Sequence, residues 1–200
     1  RAGVYQGLGD SLAAIEPPIW SRLLASYCEK KGIETAILDA DAEGYDAEIA
    51  IQKAVDANPM LVVVVAHGQQ PSASTQLMPA VNHFCQRFKA EREDIPILVV
   101  GGHPAALPER TLEETGANAV CIGEGPITIQ ALWEAIKKRY NWDLIPGLCY
   151  RDGPNCGIYR SRKNTENIWN LTEEMPGGMW GKLPMEKYRS HNWHSLTNNC

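Results

Sequence analysis

Three loops combine small polar side chains with glycine at points where an apolar stretch ends. The loop at 66–77 follows the apolar run 60–66 and carries clustered hydroxyl groups with one histidine. The loop at 101–105 opens with paired glycines, and the loop at 123–125 is Gly-Glu-Gly. Glycine directly after a strand indicates a positive φ or the close approach of another group. Together the loops favour a bound ligand with a flat group, although tight turns would explain each one separately.

The hydroxyl groups of the first loop have two interpretations. Ser74 is predicted to be the N-cap of a helix that begins at Thr75, since a serine side chain accepts a hydrogen bond from the first helical turn. Ser72 and Thr75 exceed what capping needs, and they leave room for a ligand edge to approach the backbone. His67 by itself is more typical of a hydrogen-bonded structural histidine than of a metal ligand.

Motifs for other chemistries are weak or absent. The stretch 7–12 is glycine-rich, but Leu12 stands where a dinucleotide-binding motif has its third glycine, so a flexible loop is favoured. The sequence contains neither G-x-S-x-G nor H-E-x-x-H, and Glu124 has no second carboxylate placed by spacing. His191 and His194 lack cysteines at zinc-ribbon spacing. We therefore predict no catalytic residue and no metal ligand in this chain.

Length and composition are typical of a globular domain. The 200 residues are 44% hydrophobic and carry 24 acidic against 19 basic side chains, a net charge of −5. This acidic balance disfavours a nucleic-acid or anionic-membrane partner. The longest apolar run is too short to span a bilayer, and no signal peptide opens the sequence. The six cysteines form no C-x-x-C and lie mostly in apolar stretches, so we expect reduced, structural thiols in a cytoplasmic protein.

The periodicity of the apolar residues predicts alternating helices and strands. Helices are predicted at 19–31, 47–57, 75–92, 108–115 and 126–140, and strands at 34–38, 61–66, 97–100 and 119–122. This alternation implies parallel strands joined by right-handed crossovers, which is an α/β, flavodoxin-like (Rossmann-like) doubly wound sheet with helices on both faces. Ligands of such sheets bind outside the carboxyl ends of the strands, where the three loops lie.

The two ends of the sequence depart from this alternation. Residues 1–18 have the character of a strand-to-helix loop, so we expect the first, interior strand of the sheet to lie upstream. Residues 145–151 and 157–160 flank a Gly/Pro/Asn turn and predict a β-hairpin. Little periodicity follows, which predicts an extended linker. The predicted division is an α/β domain at 1–140, a hairpin extension at 141–165 and a linker at 166–200.

In their order, these loops resemble the N-terminal cobalamin-binding domain of cobalamin-dependent radical SAM enzymes. The resemblance covers roughly residues 3–160. It rests on the stretches 68–75, 99–104, 121–125 and 145–148, and on the linker-like stretch 180–188. The order and spacing of the stretches carry the resemblance, since each is modest alone.

The resemblance implies that the domain binds cobalamin base-off, with the dimethylbenzimidazole tail displaced from cobalt and threaded past the carboxyl edge of the sheet. The residues implied to bind the cofactor are His67, Gly68, Gln69, Ser72, Ser74, Thr75, Gly101, Gly102, His103, Gly123, Glu124 and Gly125. Mutases and methionine synthase carry D-x-H-x-x-G in the first loop, whose histidine is the lower cobalt ligand. The corresponding stretch 5–12 has no histidine, so we expect no histidine lower ligand.

The resemblance also implies a longer parent enzyme. A radical SAM cluster requires the spacing C-x3-C-x2-C, which this sequence lacks. The 200 residues are therefore expected to bind cofactor without turnover, with a radical SAM barrel of the same parent chain as partner. The implied parent also holds a 4Fe-4S cluster and S-adenosylmethionine, and it performs methyl transfer or related C–C or C–H chemistry. Two other hypotheses stay open: a flavin- or nucleotide-binding domain of flavodoxin-like fold, and a ligand-free interaction domain.

Overall fold

In the computed structural model, the described residues form one sheet of five strands, which lie in the order in which they occur along the chain. The structure describes residues 14–68, 71–152 and 157–189. The strands are β1 (Val62–Ala66), β2 (Ile97–Gly101), β3 (Ala119–Cys121), β4 (Leu148–Arg151) and β5 (Ile158–Arg160). Strands β1, β2 and β3 are parallel, β4 is antiparallel to β3, and β5 is antiparallel to β4. The predicted hairpin is therefore present, and it continues the main sheet beside β3.

Helices connect the strands and cover both faces of the sheet. They are α1 (Ile19–Lys30), α2 (Ala40–Glu43), α3 (Ala47–Asp56), α4 (Pro71–Glu91), α5 (Gly102–Ala106), α6 (Pro108–Thr115), α7 (Pro126–Lys138) and α8 (Leu171–Glu174). Short 3₁₀ helices lie at Trp142–Leu144, Trp180–Lys182 and Met185–Lys187. The predicted helices are all present, but α4 begins four residues before Thr75, its expected start. No helix within the described ranges is long and apolar enough to cross a membrane.

Strand β2 is the centre of the hydrophobic core because both of its faces are buried. On one face, Leu98 belongs to a cluster that includes Leu132 of α7. On the other face, Val99 belongs to a cluster with Phe88 of α4 and Leu112 of α6. All five of these side chains are fully buried. A continuous apolar run predicts such two-sided burial, since a parallel strand lies between two layers of helices. This agrees with the predicted flavodoxin-like fold.

The outer edge of β1 has no strand partner among the described residues. Four of its five side chains are only partly buried, in contrast to the wholly buried β2. The apolar run at 61–66 predicts burial on both faces, and this prediction is wrong for β1 in the described structure. The predicted strand at 34–38 is wrong, because these residues form no ladder with any described segment. A β-branched pattern yields a strand only where a neighbouring strand pairs its backbone groups. The expected further interior strand stays a prediction.

The strap, which we define as residues 171–189, packs against the N-terminal part of the domain although the sequence predicts a linker there. Tyr188 is 1% exposed, and its hydroxyl donates a hydrogen bond of 3.0 Å to Oδ2 of Asp39. Burial and this carboxylate raise the pKa of Tyr188. The backbones of Ile15 and Arg189 exchange two hydrogen bonds of 2.9 and 2.8 Å. The strap is therefore fixed to the domain at its far end.

The middle of the strap is fixed by two cationic side chains. Arg22 of α1 is 9% exposed, donates from Nη1 to the carbonyl of Gly178 at 3.2 Å, and places its guanidinium 3.9 Å from the centroid of the Trp180 ring. The second cation belongs to the strap itself: Lys182 forms a salt bridge with the carboxylate of Glu29 in α1. This bond is the main cause that lowers the pKa of Glu29 to about 2.

The four cysteines that the structure describes are unpaired and buried: Cys28, Cys85, Cys121 and Cys149. Burial raises the pKa of the Cys28 and Cys85 thiols to about 12, and that of the Cys149 thiol to about 11. Because the thiolate is the nucleophile, such groups are unreactive near neutral pH. These cysteines agree with the expectation of structural thiols.

We expect at most two of the six thiols to react quickly with 5,5′-dithiobis(2-nitrobenzoate) in the native protein at pH 8. All six should react in concentrated urea, since unfolding exposes the buried sulfur atoms. The absorbance of the released thiolate at successive times gives the count. Rapid reaction of three or more native thiols would contradict the burial described above.

Replacing Tyr188 by alanine should lower the free energy of unfolding by about 3–5 kcal/mol, because it removes a fully buried aromatic ring. Urea denaturation followed by circular dichroism measures the change. The control is Tyr140→Ala, since Tyr140 is 65% exposed and its loss should cost less than about 0.5 kcal/mol. Equal stabilities of the two variants would show that the strap is not part of the folded core.

Candidate functional site

The three polar loops of the sequence analysis meet at one edge of the sheet. Strands β1 and β2 are parallel and in register, so that Ala66 lies beside Gly101. Strand β3 runs parallel to β2 and ends at Cys121. The segments that follow these strands therefore leave the sheet at its carboxyl edge, where open α/β sheets bind their ligands.

Ser74 links the ends of β1 and β2 through one buried hydroxyl group. Its Oγ donates to the carbonyl of Ala66 and accepts a hydrogen bond of 2.9 Å from the backbone N–H of His103. The side chain is 1% exposed. The predicted N-cap role of Ser74 is wrong, because α4 begins at Pro71 and Ser74 lies inside its first turn. Spacing along the chain could not predict partners that belong to two separate strand ends.

Thr75 and His103 form a polar pair beside this link. The Thr75 hydroxyl oxygen lies 3.1 Å from Nδ1 of His103. Thr75 is exposed and His103 is partly exposed, so both side chains face the carboxyl edge from the protein surface. A hydroxyl and an imidazole in this position can both donate to and accept from a polar ligand.

Two of the glycines at this edge are required by the protein's own packing. A Cβ atom on Gly101 would lie 2.3 Å from the carbonyl oxygen of Ala66. Gly125 has a φ of +109°, and a Cβ there would lie 3.1 Å from side-chain atoms of Leu24 and Val100. Another group does lie close to Gly101, as the sequence suggested, but that group is the backbone of the neighbouring strand and not a ligand.

Two further predicted residues also face protein atoms. A Cβ on Gly68 would lie 2.1 Å from the Cβ of Ala73, which holds the turn close to the start of α4. A Cβ on Gly123 would lie 3.0 Å from Thr165. Neither glycine needs a ligand to explain it.

Gly102 differs from these four glycines because space remains beside it. The nearest heavy atoms to a Cβ at this position are those of Ser74, at 3.8 and 3.9 Å, which is ordinary contact distance. Gly102 is exposed and has no positive φ. The protein itself therefore does not require glycine here, and a group from outside has room to approach the backbone.

The other predicted site residues are placed only in part. Glu124 is exposed, and His67 is half-buried at the end of β1. Gln69 and the side chain of Ser72 lie outside the described residues, as do the stretch 7–12 and the histidine pair of the C-terminal tail. Among the described residues, no group of three or more His, Cys, Asp or Glu side chains is placed to hold a metal ion.

Trp20 is a residue at this edge that the sequence analysis missed. Its indole stacks on the imidazole of His67, with ring centroids 4.7 Å apart and planes 23° apart. Trp20 is the second residue of α1 and remains 42% exposed. Helical periodicity placed it beside the apolar face of α1, and no sequence pattern reports contact with a residue 47 positions away.

These features define a class of protein, namely an open α/β domain whose carboxyl edge carries polar and aromatic side chains. The sequence profile of the B12 binding domain matches residues 5–133, which include all three loops. The chain belongs to the B12-binding domain family, and it is a cobalamin-binding domain of flavodoxin-like fold.

One curated relative is a Pyrococcus horikoshii protein described as the uncharacterized methyltransferase PH0819. It is 29% identical over 120 residues, which make up 60% of this chain and 25% of the relative. This chain therefore spans about a quarter of the relative's length.

Two solved structures have a similar fold. The radical S-adenosylmethionine methyltransferase TsrM from Kitasatospora setae, with cobalamin and a [4Fe-4S] cluster bound, is 20% identical with a TM-score of 0.62, over 78% of this chain and 28% of TsrM. The cobalamin-dependent S-adenosylmethionine radical enzyme OxsB, with aqua-cobalamin bound, is 19% identical with a TM-score of 0.62, over 84% of this chain and 22% of OxsB. At these identities the similarity concerns the fold.

The two glycines at the end of β2 should respond differently to alanine. Gly101→Ala should destabilise the fold by about 2–3 kcal/mol, because its Cβ would overlap the Ala66 carbonyl. Gly102→Ala should change the free energy of unfolding by less than about 0.5 kcal/mol. Urea denaturation measures both values, and a large loss of stability in Gly102→Ala would show that the protein fills this space.

Proposed function

We propose that this chain holds cobalamin base-off at the carboxyl edge of its sheet and serves as the cofactor-carrying module of a radical SAM enzyme. The observation that carries the proposal is the match of the B12 binding domain profile to the same residues whose loops meet at that edge. The contacts around Ser74, Gly102 and Trp20 supply the physical support.

The chemistry of the edge fits a corrinoid. A corrinoid is a broad, flat ring with amide groups at its rim and a long nucleotide tail, so its site needs apolar area, polar partners and room beside the backbone. Trp20 offers exposed aromatic area, and the Thr75–His103 pair offers hydrogen-bonding groups. The free space at Gly102 lets a ligand approach the backbone.

Each residue has a proposed role that its contacts support. Ser74 fixes the ends of β1 and β2 relative to each other, so that the site exists before the ligand arrives. Thr75 and His103 would bind the polar rim or tail, and Gly102 would let the tail pass. Gly68, Gly101, Gly123 and Gly125 would shape the loops rather than touch the ligand.

We propose that no histidine binds cobalt from below. The stretch 5–12 contains no histidine. Of the two histidines at the described edge, His103 has Nδ1 close to the Thr75 hydroxyl, and His67 has one ring face covered by Trp20. These contacts orient the two rings without occupying every ring nitrogen, so the support for this proposal is the first loop, which contains no histidine.

The parent enzyme is proposed to combine this module with radical SAM chemistry and methyl transfer. The support is the description of PH0819 as a methyltransferase and the combination of cobalamin with a [4Fe-4S] cluster in TsrM. Bound cobalamin supplies a cobalt centre that can carry a methyl group. This chain has no C-x3-C-x2-C, so its own residues bind and orient the cofactor and exclude water from part of its surface, while the cluster needs another part of the parent.

Cobalamin retention tests the proposal directly. The chain mixed with hydroxocobalamin should keep the cofactor through gel filtration and show the absorption spectrum of a base-off species. Thermal stabilisation by flavin mononucleotide or NAD, with none by cobalamin, would instead support the flavin- or nucleotide-binding hypothesis.

The space at Gly102 gives a sharper test with a matched control. Gly102→Ala should weaken cobalamin binding about ten-fold or more in equilibrium dialysis while the protein stays folded, because the added methyl group occupies the path of the ligand. Gly178→Ala should bind as the wild type does, since Gly178 also has open space and no positive φ but lies in the strap. Equal affinity in both variants would contradict the proposed ligand path.

A further inference from the structure

The Trp20–His67 pair is an aromatic surface whose exposure the fold does not explain. Trp20 is 42% exposed although it is a large aromatic residue, and its neighbour Ile19 is 56% exposed. Further along the same helix, Leu24 and Tyr27 are 4% and 2% exposed. The first turn of α1 therefore projects two neighbouring apolar side chains beyond the core. Exposure alone does not distinguish Trp20 from other exposed aromatic residues such as Trp169, but its contact with His67 places it at the carboxyl edge.

His67 fixes the position of this surface relative to the carboxyl edge. It directly follows Ala66, the last residue of β1, and the Ala66 carbonyl accepts the hydrogen bond from Ser74. The Trp20 ring stacks on the His67 ring at 4.7 Å, so one face of the indole is supported by protein. The indole is thus held at the same carboxyl edge of the sheet as Ser74 and its partners.

The charge environment of His67 favours a neutral ring. Partial burial lowers the pKa of His67, and no charged group among the described residues contributes to this shift. The stacked pair therefore presents an uncharged aromatic surface near neutral pH. Such a surface suits a flat, weakly polar ligand face better than it suits an anion.

We propose that Trp20, supported by His67, is a non-coordinating platform for the flat face of the bound corrinoid. This inference rests on the proposed function and assigns to Trp20 direct contact with the cofactor, from a helix outside the three glycine-containing loops. The indole contributes dispersion contacts and excludes water from the ring face that it covers. It offers no lone pair to cobalt, since the indole N–H is a donor only.

The test compares Trp20→Ala, Trp20→Phe and Trp20→Leu with the control Trp169→Ala. Trp169 is 90% exposed and lies just before the strap, so it reports the loss of an exposed indole elsewhere. We expect Trp20→Ala to weaken hydroxocobalamin binding about ten-fold in equilibrium dialysis, Trp20→Phe to stay within about three-fold of the wild type, and Trp169→Ala to match it. Trp20→Leu should fall between Trp20→Ala and Trp20→Phe, because it keeps apolar area but not the aromatic face.

Two spectroscopic readouts separate a platform from a general structural role. Bound cobalamin should quench the fluorescence of the six tryptophans, and Trp20→Phe should remove a larger share of this quenching than Trp169→Ala does. The electron paramagnetic resonance spectrum of the bound Co(II) form should lack nitrogen superhyperfine splitting in the wild type and in His67→Ala. Splitting that disappears in His67→Ala would show that His67 is a cobalt ligand, which overturns the non-coordinating platform.

The outcomes distinguish this inference from the proposed function. If the wild type does not retain cobalamin, the proposed function fails. If the wild type retains cobalamin and both Trp20→Ala and Trp20→Leu bind it with the affinity of the wild type, the proposed function stands and the platform is overturned. Circular dichroism melting curves identify any variant that loses affinity only because it is unfolded.

Discussion

The carboxyl edge of this domain depends on one buried hydroxyl group. Ser74 lies in the first turn of α4, donates to the last carbonyl of β1 and accepts from the N–H of His103, the second residue after β2. A buried polar group without partners would cost about 1–3 kcal/mol, so Ser74 and its two partners require one another. The link holds a helix and two strand ends in one arrangement. Thr75, Gly102 and His103 all take their positions from it.

Much of the fold could be predicted from the sequence because buried apolar residues recur along the chain with the period of a helix or form the continuous run of a buried strand. The continuous apolar run of β2 and the helical periodicity of α1, α4 and α7 identified their elements. The segment 34–38 was mispredicted because strand formation depends on a neighbour, which a local pattern does not report. The start of α4 was misplaced for a related reason. Ser74 has the residue type of a cap, yet its partners are eight and 29 residues away in the chain.

The sequence predicted which loops meet at the site, but it did not predict which residues contact one another there. Glycine after a strand indicates that another group lies close to the backbone, but the sequence does not tell whether that group belongs to the protein or to a ligand. At Gly101 the neighbour is the Ala66 carbonyl, whereas Gly102 has room. Trp20 shows the opposite difficulty, since its residue type suits the core and only the fold reveals that it reaches His67 at the edge. Residue types thus identified the loops, whereas the packing in the structure shows which of their residues contact protein and which have free space beside them.

The paired backbones of Ile15 and Arg189 bring the two ends of the described chain side by side. Local opening of this pair would release the end of the strap and the approach to α1 together, as one cooperative unit, because the same two backbone hydrogen bonds hold both segments. The sheet itself would stay closed during such an opening, since none of its ladders includes these residues.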